Sequence, residues 1–293
     1  MRQILFTSLL LLTGLIPYPA CAERPLEVFV SVLPLQQLVE RVAGDAAHVQ
    51  VLVGPGQSPH NYEPTPRQIA GLAHADLLLR IGVPYEDAWL GRITAANPRL
   101  RVVDGREGMP LHSGVEHGHA HGHDHAPGHD EAMDPHIWTD PQRLRILVGH
   151  LADWLTELRP ALGATFHANA ARLDNELAEL DHSLRATLAC LQDRRFLVFH
   201  PAWGYFAERY DLEQVSIEVE GKEPNARALA EVIDAARAQG MRRVLVQPQF
   251  SRRGATAVAT ALHGELVVAD PLAPDMPETL RELARLLAAG CAP

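Results

Sequence analysis

The chain of 293 residues lacks an excess of basic side chains. Its 26 Lys and Arg residues are outnumbered by 36 Asp and Glu residues, which gives a formal net charge of −10. Nucleic-acid binding depends on cations that neutralise phosphates, so this balance argues against a nucleic-acid partner. The apolar share of 47% is typical of a globular protein, and the length is sufficient for two domains.

Apolar runs long enough to span a bilayer are also missing. The longest run covers residues 4–16, which is too short for a membrane-spanning helix. Arg2 precedes this run, and the tripeptide Ala-Cys-Ala at residues 20–22 follows it, which is typical of a secretory signal and its cleavage site. We therefore expect a signal peptide over residues 1–22 and a mature chain that starts at Glu23.

Cysteine is scarce, with three in the whole chain. Lipidation of Cys21 is the alternative to signal cleavage, although the residues before it match a lipidation signal poorly. Cleavage would leave Cys190 and Cys291, and an oxidising compartment would allow a disulfide that ties the C-terminal tail to the body of the protein. Two buried free thiols are the alternative for this pair.

Strand and helix patterns alternate in both halves of the sequence and are interrupted by a purely helical stretch. This order predicts two similar α/β lobes with parallel sheets, over residues 23–141 and 192–293, joined by a helical region over residues 142–191. A stripe of leucines over residues 163–191 predicts one long linking helix of about 40 Å. The predicted strands are 26–32, 48–53, 76–82, 100–104, 196–199, 213–217, 243–247 and 265–269.

A histidine-rich insert interrupts the first lobe at residues 109–133. Neutral imidazole is the commonest metal ligand, and a flexible run of imidazoles can hold metal ions but cannot build a core. We therefore expect weak auxiliary metal sites there; a solvated loop without a function is the alternative. Seven of the sixteen histidines lie in this insert, namely His112, His117, His119, His121, His123, His125 and His129.

Four residues outside the insert are candidate ligands of a tighter site. His60, His136 and His200 stand in turn-rich contexts, and both His200 and Asp270 follow predicted strands, where open α/β sheets bind their ligands. Three imidazoles and one carboxylate suit tetrahedral Zn²⁺, whereas Mg²⁺ and Ca²⁺ prefer more oxygen ligands and Mn²⁺ binds nitrogen more weakly. Taken singly, each residue could equally be a structural group.

Five motifs resemble those of the zinc/manganese ABC-transporter substrate-binding proteins, the ZnuA-like family. They occur in the family's order, from about Leu26 to the C-terminus. SPHNYEPTP at 58–66 resembles "DPHxYEPTP", DPHIWTDP at 134–141 is similar to "DPHxWLDP", HPAWGYF at 200–206 looks like "H-x-x-[FW]-G-Y-F", QPQFS at 247–251 resembles "EPQFS", and DPL at 270–272 resembles "DPLG".

The resemblance implies a monomeric periplasmic receptor with two lobes joined by a rigid helix. Such a receptor is not an enzyme; it binds Zn²⁺ in the interlobe cleft and delivers it to an inner-membrane ABC permease. The family's ligands fall on His60, His136, His200 and Asp270. Manganese-selective members tend to have a carboxylate at the position of His200, which favours zinc. The insert would concentrate zinc and offer a contact for periplasmic zinc chaperones.

Three alternatives stay open beside this interpretation. A zinc buffer without a permease or a manganese receptor would use a similar site. A zinc hydrolase would use Glu63 as its base, but the chain has no H-E-x-x-H motif, and Asp270 would fill the open coordination position. Two departures from the family pattern concern Gln247, where many members have Glu, and Ser58, where Asp would bond to His60.

Overall fold

The structure is a computed structural model that describes residues 24–113, 133–218, 225–250 and 252–291. The expected signal peptide and most of the histidine-rich insert lie outside these ranges. Within them, two four-stranded parallel sheets are each flanked by helices. No helix in the described ranges is long and apolar enough to cross a membrane.

The first lobe is built on strands of nearly continuous apolar residues, as expected for a parallel sheet covered on both faces. Its strand order is β2-β1-β3-β4, and all neighbouring pairs are parallel. Each of its three helices begins with proline, which suits the first helical position. The elements are β1 (Leu26–Val32), α1 (Pro34–Ala43), β2 (Ala47–Val53), α2 (Pro66–Leu72), β3 (Leu77–Arg80), α3 (Pro84–Ala96) and β4 (Arg101–Asp104).

The second lobe repeats the same arrangement. Its parallel strands follow the order β6-β5-β7-β8, which is the order of the first sheet shifted by four strands. The elements are β5 (Arg195–Val198), α6 (Gly204–Arg209), β6 (Glu213–Ser216), α7 (Ala226–Ala238), β7 (Arg243–Val246), α8 (Arg252–Ala261), β8 (Glu265–Val268) and α9 (Met276–Ala288).

Two helices connect the lobes, α4 (Pro141–Leu158) and α5 (Gly163–Leu188). The 26 residues of α5 extend about 39 Å at the usual rise. α5 packs against α4, α1 and α9, so the last helix of the chain returns to the linking helix. One hydrophobic core runs from the first sheet through α4 and α5 to α6 and α9, and a smaller core lies between the second sheet, α7 and α8.

The structure confirms the predicted fold class of two α/β lobes joined by a long helix. Several boundaries differ from the predictions. The linking helix ends at Leu188 instead of residue 191, and β5 ends at Val198, so His200 lies two residues beyond its strand. A disulfide joins Cys190, just after α5, to Cys291, just after α9.

Candidate metal centre

Three histidines from distant parts of the chain meet at one point between the lobes. Each of His60, His136 and His200 offers one ring nitrogen, and these three nitrogens lie within 4.8 Å of one another. The Nε2 atoms of His60 and His200 are 3.2 Å apart. Two nitrogens bound to one tetrahedral zinc ion are separated by about 3.3 Å, so this pair already has the spacing that a shared ion requires.

His136 is held by the chain segment that leaves the insert. Oδ1 of Asp134 accepts hydrogen bonds from the His136 backbone N–H at 2.9 Å and from its Nδ1 at 2.7 Å. A short 3-10 turn, Ile137–Thr139, follows, and Trp138 packs edge-on against the His136 ring. Because Nδ1 faces the carboxylate, Nε2 is the nitrogen left for a metal ion.

His200 is supported from the carboxyl ends of three neighbouring strands. It follows β5 itself, and its Nδ1 lies 2.6 Å from Oε2 of Glu218, a carboxylate 3% exposed that follows β6. Gln247, which follows β7, donates from Nε2 to the His200 carbonyl at 2.7 Å. The Phe250 ring stacks on the imidazole at 4.8 Å. These contacts again leave Nε2 for a ligand.

His60 is held less firmly than the other two rings. It lies in a 3-10 turn, Pro59–Asn61, in the loop between β2 and α2. Oγ of Ser58 accepts a hydrogen bond from the His60 backbone N–H at 3.3 Å. Among the described contacts none joins Ser58 to the His60 ring, so the serine does not orient this imidazole as Asp134 orients His136.

The cluster favours neutral imidazoles. Burial, followed by repulsion from His200 and His136, lowers the pKa of His60 to about 3. Part of the His60 side chain is exposed to solvent. Its Nε2 nevertheless lies against the His200 ring, and this contact between the rings lowers the pKa of His60 in the same direction as burial does. Burial also lowers the pKa of His200, against the opposing effect of Glu218. Metal binding requires neutral imidazole, so these two rings are prepared for it at neutral pH.

The histidines border a cavity of ionic size. The cavity volume is about 10 Å³, which is roughly the room for one water molecule or ion. Beside it, Nε1 of Trp138 donates to the Pro271 carbonyl at 2.6 Å and joins the two lobes. The other residues around the cavity are Ser58, Pro59, Gln247, Gln249, Phe250 and Leu272.

Asp270 is not among the residues that line this cavity or in the three-histidine group, although its neighbours Pro271 and Leu272 line the cavity. Its Oδ1 accepts hydrogen bonds from the Leu272 backbone N–H at 2.9 Å and from Nε2 of Gln249 at 2.8 Å. The structure therefore brings together three of the four predicted ligands, and the role of Asp270 as fourth ligand stays a prediction. Glu63, the base that a hydrolase would need, is exposed and is not among the described residues around the cavity.

The base of the histidine-rich insert is fixed although its interior is not described. Ser113 and Met133 form an antiparallel bridge. Nε2 of His112 lies 2.9 Å from Oε2 of Glu208, and its ring stacks on Tyr205 at 4.5 Å. Metal binding by the insert stays a prediction; its other histidines, His117, His119, His121, His123, His125 and His129, lie outside the described residues.

Two carboxylates of the site were not assigned from the sequence. Asp134 belongs to the motif that identified His136, so its position two residues before the ligand was the available signal. Glu218 lies outside all five motifs, and nothing in the sequence distinguishes it from the other acidic residues. Only the neighbouring positions of β5 and β6 place it behind His200.

The fold and the histidine cluster together define a bilobed binding protein with a candidate metal centre between its lobes. The chain belongs to the ZnuA family, whose pattern, described as "Zinc-uptake complex component A periplasmic", matches residues 28–288. Members of this family are substrate-binding components of transport systems.

Individual relatives agree with this assignment. The chain is 31% identical over 257 residues to the high-affinity zinc uptake system protein ZnuA of Paracoccus denitrificans (strain Pd 1222), covering 78% of this chain and 77% of the relative. It is 28% identical over 264 residues to the zinc-binding protein AdcA of Streptococcus pyogenes serotype M3 (strain ATCC BAA-595 / MGAS315), covering 86% of this chain and 51% of AdcA. The chain thus spans about half the length of the AdcA relatives that it matches.

Solved structures show the same architecture. A crystal structure of ZnuA superposes with a TM-score of 0.85 at 35% identity and covers 92% of this chain and 100% of that one. A zinc-bound deletion mutant of ZnuA gives a TM-score of 0.82 at 34% identity, with coverage of 92% and 99%.

Proposed function

We propose that this chain is a periplasmic receptor that captures Zn²⁺ and delivers it to an ABC permease for import. The observation that carries the proposal is the convergence of His60, His136 and His200 on a cavity of ionic size. Zinc-binding names among the relatives and a zinc-bound structure of a ZnuA mutant support the choice of ion.

The chemistry of the donors also favours zinc over manganese. The site presents three imidazole nitrogens, and Asp270 is the candidate for one anionic oxygen. Zinc accepts this mixture in tetrahedral geometry. Manganese binds nitrogen ligands less strongly along the divalent series, so a manganese receptor with these ligands would lose its ion to zinc.

Export and transfer follow from the same proposal. A signal peptide over residues 1–22 would be cleaved to release a mature protein that starts at Glu23 in the periplasm. Lipidation at Cys21 is the alternative and would anchor the protein to the membrane. The permease would favour a conformation in which the lobes no longer hold the ion. The insert would gather zinc by weak contacts and raise its concentration near the cleft.

The protein would bind its ion without transforming a substrate. A closed set of three imidazoles and Asp270 leaves no coordination position for a reactive water. Counting the exchangeable waters on the Co²⁺-substituted protein distinguishes the two roles, since a receptor with four protein ligands has none and a hydrolase has at least one.

The decisive variant is His136→Ala, compared with His182→Ala on the exposed face of α5. Loss of a direct ligand should weaken zinc binding by more than about 100-fold, because even residues that only support a ligand usually account for 10–100-fold. Affinity is measured by competition with a chromophoric chelator on the mature protein. Equal affinities of the two variants would refute the site.

A further inference from the structure

Gln249 contacts Asp270 in one defined orientation. A carboxylate only accepts hydrogen bonds, so the amide nitrogen of Gln249 must face Asp270, and it lies 2.8 Å from Oδ1. The Leu272 backbone N–H donates to the same oxygen at 2.9 Å. Among the described contacts no donor reaches Oδ2 of Asp270, so Oδ2 is the oxygen available for an ion.

The other end of the Gln249 amide faces no protein donor. Its Oε1 is buried and has no hydrogen-bond partner among the residues that the structure describes, and the side chain borders the cavity of the three histidines. Buried acceptors without partners are rare and costly, so each one requires a physical explanation. An amide oriented for Asp270 alone explains why Oε1 is left unpaired.

The turn after β7 supports two predicted ligands at once. Gln247 bonds to both backbone groups of His200, with its Oε1 3.4 Å from the N–H and its Nε2 2.7 Å from the carbonyl oxygen. Two residues later, Gln249 bonds to Asp270, which follows the neighbouring strand β8. The spacing between His200 and Asp270 is thus set by one short segment of the chain.

We propose that Gln249 is a positioning residue for Asp270, which holds Oδ1 so that Oδ2 is presented to the bound ion. This inference rests on the proposed function, since it requires that Asp270 contributes to metal binding. Partners that orient a ligating carboxylate restrict its rotation and increase metal affinity, and their loss typically costs 10–100-fold.

The test is a double-mutant cycle on the mature full-length protein with Zn²⁺ as the probe. Gln249→Leu should weaken binding by about 10–100-fold, and Asp270→Ala should weaken it at least as much. In the Asp270→Ala background, Gln249→Leu should have an effect of less than about 2-fold, because the residue that it positions is gone. Gln192→Leu, an exposed change of the same chemistry, serves as the control.

A spectroscopic readout separates positioning from a general loss of structure. With Co²⁺ as the probe, Gln249→Leu and Asp270→Ala should both acquire an exchangeable water that the wild type lacks. Thermal unfolding of the metal-free variants identifies any that fail to fold. If Gln249→Leu fails to fold, Gln249→Ala takes its place.

Three results would overturn the proposal. They are unchanged zinc affinity in Gln249→Leu, an undiminished effect of this change in the Asp270→Ala background, and unchanged affinity in Asp270→Ala itself. None of these would refute zinc binding by the chain, which is decided by His136→Ala. The double-mutant cycle therefore reveals a role of Gln249 that does not depend on Asp270, and His136→Ala separately reveals a failure of the proposed function.

Discussion

At the metal centre, two of the three imidazole rings are backed by a carboxylate. Asp134 holds Nδ1 of His136, and Glu218 holds Nδ1 of His200. A carboxylate behind the ring fixes the tautomer and makes the opposite nitrogen more basic. Among the described contacts no carboxylate supports the His60 ring, and Ser58 bonds to the His60 backbone. The three rings are therefore unequal, and we expect the supported pair to dominate affinity.

Glu218→Gln tests this difference at His200. The amide can still accept from Nδ1 but carries no charge, so we expect zinc affinity to fall by about 10-fold, at the lower end of the range for supporting residues. Glu218→Ala removes the acceptor as well and should cost about 100-fold. Competition titration measures both, with Glu213→Gln at the exposed start of β6 as the control. Wild-type affinity in Glu218→Ala would show that His200 does not depend on this carboxylate.

Among the elements, α5 and α6 are joined by an ionic contact between Asp181 and Arg209. Asp181 of α5 accepts hydrogen bonds from Nε and Nη2 of Arg209, at 2.9 and 2.7 Å, and from the Tyr210 hydroxyl at 3.0 Å. Burial opposes the charge, but these partners outweigh it and lower the pKa of Asp181. The linking helix is thus attached to the second lobe through a carboxylate that must stay ionised.

This contact predicts a pH-dependent contribution to stability. Because the pKa is lower in the folded state than the unperturbed 3.8, the stabilisation is complete above about pH 4 and is lost as the pH falls through the folded value. Asp181→Asn should therefore destabilise the protein at pH 7, and the difference from wild type should shrink in acid. Urea unfolding at pH 7, 5 and 3 measures it.

The exposed Asp45→Asn is the control for Asp181→Asn. A destabilisation by Asp181→Asn that is equally large at pH 3 would contradict the assignment to ionisation of Asp181. Such a result would mean that the loss reflects packing of the side chain instead.

For the whole molecule, the parallel sheets and the linking helix were predictable because their signals are local. The mostly apolar segments 26–32 and 243–247, rich in valine and placed between helical patterns, indicate buried strands, and the leucine stripe of α5 has a clear helical period. The ends were less certain. The strand predicted over 196–199 ends at Val198, and the linking helix predicted to reach residue 191 ends at Leu188.

Contacts between residues that are distant in sequence could not be predicted. The motifs identified His60, His136 and His200 by their neighbours in sequence, but not that Glu218 lies behind His200 or that Gln249 faces Asp270. His112 was expected to serve as a weak metal ligand, and the structure places it against Glu208 and Tyr205. The first two pairs depend on which strands are neighbours in the second sheet, and the contacts of His112 depend on how the two lobes are placed against each other. No short stretch of sequence records either arrangement.

The disulfide between Cys190 and Cys291 predicts a stability effect for the molecule as a whole. It closes a loop of about a hundred residues that contains the entire second sheet. By restricting the unfolded chain, such a link typically contributes about 2–4 kcal/mol. The double variant Cys190→Ser/Cys291→Ser should lose this amount in urea unfolding and keep its zinc affinity, because both residues lie outside the cavity.

Mass spectrometry of the unreduced mature protein provides the complementary check on the disulfide. The wild-type protein should have no free thiol at Cys190 or Cys291. Two alkylatable thiols, or a wild-type protein whose stability does not change on reduction, would contradict the link.

The two ends of the histidine-rich insert are held together at its base. Ser113 and Met133 pair directly, and the Tyr205 hydroxyl accepts from the His112 N–H and donates to the Asp134 carbonyl. The two ends of the insert therefore both bond to the Tyr205 side chain. The second of these ends, Asp134, lies two residues before His136. We therefore expect changes in the length of the segment between these points to leave the position of the His136 imidazole unchanged.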